Sequence, residues 1–227
     1  MYRTGKQIFD VVASGSALII LSPLFIIVIL ILALTGEHQV FFLQKRVGYK
    51  NSRFHVFKFV TMVKNSPNMG TGNITVRNDP RVLPVGRFLR KTKINELPQI
   101  INVFIGHMSI VGPRPLAESG FEKYPAPVQE CIYNVKPGLT GIGSVIFRDE
   151  ERLLEGKPAE ELKTFYAEKI MPYKGALELW YQENVSFATD MKIIFLTAWV
   201  IFFPQSTLPY RWFKNLPPRP AFLERKK

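Results

Sequence analysis

The chain has 227 residues, 47% of them hydrophobic, with 30 Lys and Arg against 18 Asp and Glu and a formal net charge of +12. That length holds one sizeable domain with a proper apolar core, and the single cysteine, Cys131, excludes an internal disulfide and any cysteine-based zinc site. A basic balance points to an anionic partner, whether nucleic acid, an acidic membrane surface or a phosphorylated substrate, or to a plain solvated basic face.

The first element is apolar. No charge interrupts Val11 to Thr35, and about 20 apolar residues suffice to span a bilayer core as a straight helix. A spanning helix is therefore one reading, and a signal peptide a second, although the run exceeds the usual apolar region of about 7–15 residues in such peptides. A third reading comes from Ser22-Pro23 in mid-run. Proline removes a backbone donor and kinks a helix, while the preceding serine can hydrogen-bond a freed carbonyl in lipid. Both flanks are basic, with Arg3 and Lys6 before and Lys45, Arg46, Lys50 and Arg53 after. Positive residues favour the cytoplasmic side, so this charge pattern suits a bent, re-entrant helix with both ends on one face.

Gln39 to Leu43 reads as a short strand, 44–48 as a turn and Phe54 to Val63 as a second strand, giving a hairpin. Asn65 to Asp79, rich in Asn, Gly, Ser and Pro, is a loop. Apolar spacing predicts helices over Pro84 to Lys91 and Leu97 to Ile105, with Pro98 in the first turn of the second. Prolines at 113, 115, 125 and 127 break the pattern, and further helices are expected over Val128 to Asn134, Ala159 to Lys169 and Gly175 to Asn184. Asp190 to Phe203 is too short to span, so it lies on a membrane interface or packs in the core. Trp212 and Phe213 beside Arg211 and Lys214 suggest another interfacial contact, or a disordered tail. The expected organisation is one domain over 1–227: a membrane segment at 1–36, a core at 37–203 and a basic, proline-rich tail at 204–227.

The run Ser109-Ile-Val-Gly-Pro-Arg-Pro115 resembles a signature of the bacterial initiating sugar transferases, the small monotopic phosphoglycosyl transferases. Further blocks in family order are 44–48 (Gln-Lys-Arg-Val-Gly), Phe57-Lys58-Phe59 with Thr61-Met62, and Asn78-Asp79-Pro80-Arg81. Two more are 136–141 (Lys-Pro-Gly-Leu-Thr-Gly) and Tyr181 with Asn184, Ser186 and Asp190. The resemblance implies an α+β, mainly helical fold: a kinked re-entrant membrane helix with Ser22 and Pro23 at the kink, a small β-hairpin, and amphipathic interfacial helices around a cytoplasmic active site. It implies transfer of a sugar-1-phosphate from a UDP-sugar to undecaprenyl phosphate, giving undecaprenyl-diphosphate-sugar and UMP. That is the first membrane step of surface polysaccharide or glycoconjugate synthesis. The implied setting is the cytoplasmic face of a bacterial inner membrane, with anionic lipids as partners and a homodimer as one possible assembly.

Roles carry over by position. Asn95 stands at the nucleophile, where the family usually has Asp; Glu96 stands at the residue thought to hold Mg²⁺; Lys58 matches an active-site lysine. Arg114 matches a phosphate-binding arginine framed by Pro113 and Pro115, with Arg81 as a further candidate. Glu178 stands where many relatives have Asp. An amide is a poor nucleophile towards phosphorus. His107 and Val60 also depart from the usual Asp and basic residue, so a non-catalytic relative that binds nucleotide sugar or carrier lipid is the alternative reading. A nucleic-acid binder would need clustered basic residues with stacking aromatics; here the basic residues are scattered, and no nucleic-acid partner is expected.

Overall fold

The computed structural model describes residues 2–66, 69, 79–154, 158, 161 and 164–224. Most of the predicted loop 65–79, including Asn78, and much of the predicted helix 159–169 lie outside the described residues. By contacts the chain divides into two compact units: 9–45 with 55–106, and 1–8 with 46–54 and 107–227.

Helix α1 runs unbroken over Tyr2–Leu34 with Pro23 inside it. It is long and apolar enough to cross a membrane. Pro23 has no N–H to offer the carbonyl four residues back, and the Ser22 hydroxyl donates to that carbonyl, of Ile19, at 2.8 Å. In the first unit Phe25, Val28 and Leu32 of α1 pack with Phe59 and Leu89. Much of the rest of α1 is exposed, with Ile19, Ile20 and Leu34 each about three-quarters open.

Strands β1 (Phe41–Val47) and β2 (Arg53–Phe59) pair as a two-stranded sheet. The expected turn at 44–48 is corrected: Gln44 to Val47 is strand, and the chain reverses at 48–52, where the Gly48 N–H donates to the Ser52 carbonyl at 2.8 Å. Lys50 and Asn51 take left-handed φ values of 51° and 56° there. Polar residues are tolerated in β1 because most of that strand is exposed. Strand β2 stops at Phe59, short of the expected Val63.

Helix α2 covers Pro84–Lys91, as predicted, with Pro84 in its first turn. A 3₁₀ turn, Ile94–Glu96, and helix α3, Gln99–Phe104, replace the single helix expected over 97–105. Pro98 caps α3, which explains the division, because proline suits a helix start and disrupts an interior.

In the second unit, β3 (Ser109–Val111) and β4 (Gly138–Thr140) pair in parallel, Ser109 opposite Gly138 and Val111 opposite Thr140. Between them lie α4 (Glu118–Phe121) and α5 (Ala126–Cys131). After β4 come α6 (Ile142–Ile146) and α7 (Glu150–Leu154). A π-helical turn, Tyr166–Ile170, leads into α8 (Met171–Glu183), followed by α9 (Phe187–Phe202) and α10 (Leu208–Trp212). The Ser186 hydroxyl caps α9 by accepting the Thr189 N–H at 3.1 Å.

Helix α9 buries Ile193, Leu196 and Val200 in the core and leaves Phe195, Ile201 and Phe202 half-exposed or more. The tail is packed rather than loose: Phe213 and Leu216 are buried, and Phe213 meets the Trp180 ring at 4.9 Å between centroids. Phe195 stacks on Trp212 at 5.1 Å.

Candidate active site

The candidate residues fall into two groups, one in each unit. In the first unit, Lys58 sits on β2 and Asn95-Glu96 on the 3₁₀ turn. Lys93 precedes that turn with a left-handed φ of 61°, which turns the chain sharply between α2 and the dipeptide. The Lys58 ammonium lies 3.5 Å from a Glu96 carboxylate oxygen. Both side chains are partly exposed, so the pair is open to a ligand from solvent.

Asn95 is buried, and its Oδ1 has no hydrogen-bond partner among the described residues. A buried carbonyl oxygen without a donor costs about 1–3 kcal/mol, a cost that a bound donor or cation would relieve. Asn102, missed on sequence, sets the geometry of this site. Fully buried, it accepts the Phe57 N–H at 2.9 Å and donates to the His55 carbonyl at 2.7 Å. These bonds fasten α3 to β2, and β2 carries Lys58 while the turn just before α3 carries Glu96. The signal for it was a lone amide inside the apolar run Ile100-Ile101-Asn102-Val103.

Arg81 is placed otherwise than as an open phosphate ligand. It is buried, and its guanidinium donates to both Asp79 oxygens, at 2.9 and 2.6 Å, and to the Ser66 and Met69 carbonyls, each at 2.8 Å. Its work is to hold the local chain, as a bidentate buried pair does. Val60 is a buried apolar residue.

In the second unit, Pro113 and Pro115 are buried and Arg114 between them is exposed. The loop is gripped at its backbone. The Arg114 carbonyl accepts the Tyr133 hydroxyl at 2.8 Å. The same hydroxyl accepts the Leu116 N–H at 2.9 Å. Gly112 donates to the Thr140 carbonyl at 2.9 Å, and Gly138 to the Pro113 carbonyl at 2.8 Å. A Cβ on Gly138 would lie 2.1 Å from the Gly112 nitrogen, and one on Gly141 2.2 Å from the Gly112 oxygen. The blocks 109–115 and 136–141 thus need glycine because their backbones touch. His107 packs edge-on against Phe54, ring centroids 6.0 Å apart.

Tyr181 and Asp190 form a buried centre of their own. Asp190 accepts the Tyr181 hydroxyl at 2.7 Å, the Tyr2 hydroxyl at 2.6 Å and the Lys6 ammonium at 2.5 Å. The Tyr181 hydroxyl also lies 3.3 Å from the Val111 carbonyl, next to Gly112. The start of α1 and the end of β3 thus meet the block that holds Tyr181 and Asp190, from 70 or more positions away.

Residues 1–204 match the family model described as bacterial sugar transferase. The chain belongs to that family. All the site residues above fall inside the matched span. Among relatives, an undecaprenyl-phosphate glucose phosphotransferase of Komagataeibacter xylinus is 34% identical over 204 residues, 85% of this chain and 35% of its own length. A UDP-glucose:undecaprenyl-phosphate glucose-1-phosphate transferase of Klebsiella pneumoniae is 35% identical over 206 residues, 88% of this chain and 41% of that protein. The chain therefore spans about two fifths or less of these two relatives. An exopolysaccharide production protein, PSS, of Rhizobium leguminosarum bv. phaseoli is 35% identical over 198 residues, covering 85% of this chain and 92% of that protein.

Among the described residues, no group of three or more His, Cys, Asp or Glu could hold a metal ion. Mg²⁺ is commonly held by one or two carboxylates together with substrate phosphates and water. The partly open Glu96 carboxylate and the Asn95 oxygen beside it in sequence, unpartnered among the described residues, are hard oxygen donors of that kind.

Proposed function

We propose that this chain is a membrane-associated enzyme that transfers a sugar-1-phosphate from a UDP-sugar to undecaprenyl phosphate, releasing UMP. The observation that carries the reading is the Lys58–Glu96 pair at 3.5 Å, held by the buried Asn102 in a chain of this family. Two of the relatives are named for this type of transfer, with glucose as the sugar. In the exchange, an oxygen of the lipid phosphate bonds to the phosphorus bearing the sugar, and that phosphorus loses its bond to the UMP oxygen. Phosphoryl transfer of this kind rests on positioning and on neutralising charge. Lys58 offers a cation, Arg114 another, and Mg²⁺ at Glu96 would neutralise phosphate charge when bound.

Asn95 cannot lend a carboxylate to a covalent route, so that role passes to Glu96, or the lipid phosphate attacks directly. The setting proposed is the cytoplasmic face of a bacterial inner membrane. There α1 enters one leaflet, bent at Pro23, and the net charge of +12 meets anionic lipid.

The test is UMP release from a panel of UDP-sugars with undecaprenyl phosphate and Mg²⁺, comparing the unaltered chain with Asn95→Asp and Glu96→Ala. Turnover by the unaltered chain that Glu96→Ala abolishes supports the reading. Turnover by Asn95→Asp alone overturns it. Omitting the lipid acceptor separates the routes, because only a covalent intermediate releases one UMP per enzyme without it.

A further inference from the structure

A cleft between α7, the connection from α9 to α10 and the segment 219–223 is rich in hydrogen-bond donors that no acceptor meets. It encloses about 500 Å³, its open mouth included, and is lined from the stretches 145–153, 204–210 and 219–223. All three belong to the second unit. Each wall is tied down. The Lys174 ammonium of α8 lies 2.7 and 2.8 Å from the two Glu150 oxygens at the start of α7. The Tyr173 hydroxyl donates to the Pro217 carbonyl at 3.0 Å and lies 3.1 Å from the Tyr210 hydroxyl, which fixes the approach to Arg219 against α8 and α10. Phe222 meets the Phe165 and Tyr173 rings edge-on, at 5.6 and 6.4 Å between centroids. The cleft is therefore preformed, and a ligand does not have to order its walls.

Four of the lining side chains have donors to spare. The Ser206 oxygen accepts the Trp199 indole N–H at 3.0 Å and the Leu208 N–H at 3.2 Å. Both lone pairs are then used, so the hydroxyl can act only as a donor, and it has no acceptor among the described residues. Gln205 beside it makes no side-chain hydrogen bond among the described residues. Arg219 places one terminal nitrogen on the Leu223 carbonyl, at 2.6 Å, and its guanidinium over the Tyr210 ring, 5.8 Å from the centroid. Arg152 meets Asp149 through Nε alone, at 3.5 Å, with both side chains open to water. Asp149 is the one carboxylate among the lining residues, so two guanidinium charges face a single negative one.

Excess positive charge and donors without acceptors select an oxyanion, and phosphate suits the guanidinium fork. What adjoins the cleft selects the carrier of that phosphate. Trp199, bonded to Ser206, packs on Phe203 at 4.4 Å and on Phe195 at 6.2 Å, and Phe195 stacks on Trp212. Phe195, Phe203 and Trp212 are all exposed. Exposed aromatic rings beside basic side chains favour the level where headgroups meet acyl chains.

We propose that this cleft binds the headgroup phosphate of an anionic phospholipid, with Arg219, Arg152 and the Ser206 hydroxyl as donors and the Trp199–Phe203 surface against the acyl chains. Gln205, Ser206, Tyr210 and Arg219 lie beyond the stretch 1–204 that matches the family model, so the site is additional to what that model describes. It stands apart from the transferase reading, since it requires binding and no turnover.

The test uses the full chain in detergent micelles holding equal amounts of phosphatidylglycerol and phosphatidylcholine, with retained lipids counted by native mass spectrometry. The unaltered chain should prefer phosphatidylglycerol by at least about fivefold. Gln205→Glu puts a carboxylate into the cleft at a side chain that holds nothing else together, and should erase the preference. The double variant Arg152→Gln with Arg219→Gln should do the same. Arg211→Gln with Lys214→Gln removes equal charge outside the cleft lining and should leave the preference within about twofold. Excess inorganic phosphate should not displace the lipid, because the acyl chains add apolar contact that free phosphate lacks.

Equal retention of the two lipids by the unaltered chain overturns the proposal. So does a preference that survives Gln205→Glu, or one lost equally in Arg211→Gln with Lys214→Gln, which would mark general attraction to a basic surface. Displacement by inorganic phosphate would make this a site for the free anion, and the lipid assignment falls.

Discussion

The Ser22 hydroxyl donates at 2.8 Å to the Ile19 carbonyl, the acceptor that Pro23 leaves without its helical N–H. This replacement lets α1 carry a proline in the middle of an apolar stretch without an orphaned backbone oxygen, which an apolar surrounding would penalise. Ser22→Ala should therefore destabilise the helix by about 1 kcal/mol in the unaltered chain and by about zero in a Pro23→Ala background, where an N–H returns to serve Ile19. A double-mutant cycle of detergent-based unfolding would measure the coupling. Equal costs in both backgrounds would show that the serine acts elsewhere.

The contact between the two glycine-bearing blocks sets a steric limit. A Cβ on Gly138 would meet backbone atoms at 2.1, 2.3 and 2.6 Å, and backbone cannot swing aside. Gly138→Ala is expected to cost more than about 3 kcal/mol and to abolish a cooperative melt. Gly120→Ala, whose new methyl would meet only Leu116, at 3.9 Å, should be neutral or stabilising by up to about 1 kcal/mol. Thermal denaturation of the two variants side by side checks the contrast.

Asp190 joins the first turns of α1 to α8 and α9 within the second unit through Lys6, Tyr2 and Tyr181. Asp190→Ala would strand the mostly buried Lys6 ammonium and two hydroxyls, a loss of about 3–5 kcal/mol for a broken buried pair. Limited proteolysis should then cleave near residues 2–8 at protease levels that leave the unaltered chain intact. An unchanged cleavage pattern would assign that anchoring to other contacts.

The raised pKa of Glu178 makes a sign prediction for stability. The folded value, about 8, lies above the ordinary value of 4.5, so the folded state holds its proton more tightly than the unfolded chain does. The associated stability is present in full below about 4.5 and is lost progressively as pH rises towards 8. The melting temperature of the unaltered chain, compared with Glu178→Gln, should fall across that window and level off above it. A flat difference would mean that the carboxyl titrates alike in both states.

Much of the local structure could be read from residues in order. The uncharged run at 11–35 demands a long apolar helix, Pro84 marks a helix start, and the Ser22-Pro23 pair announces its own hydrogen-bond repair, because each depends on neighbours within a turn. The placement of Arg81 could not be read this way. Beside Asp79 it looks like a free cation in a family block, yet the fold consumes its guanidinium on Asp79 and on the Ser66 and Met69 carbonyls. Asn102 was equally hidden, since an amide in an apolar run acquires meaning only from the strand it meets.

By itself the sequence determined the long apolar helix and the family, and it marked Asn95-Glu96 as the candidate dipeptide. Those rest on composition, short-range hydrogen bonding and the order of motifs. Tertiary structure decided that β3 and β4 pair, that Lys58 faces Glu96, that Glu178 is buried against Gly143, and that Asp190 gathers Tyr2, Lys6 and Tyr181. Each of those joins residues 24 or more positions apart or buries an ionisable group. Solvation and charge at such sites depend on what the whole chain packs around them, which no local window contains.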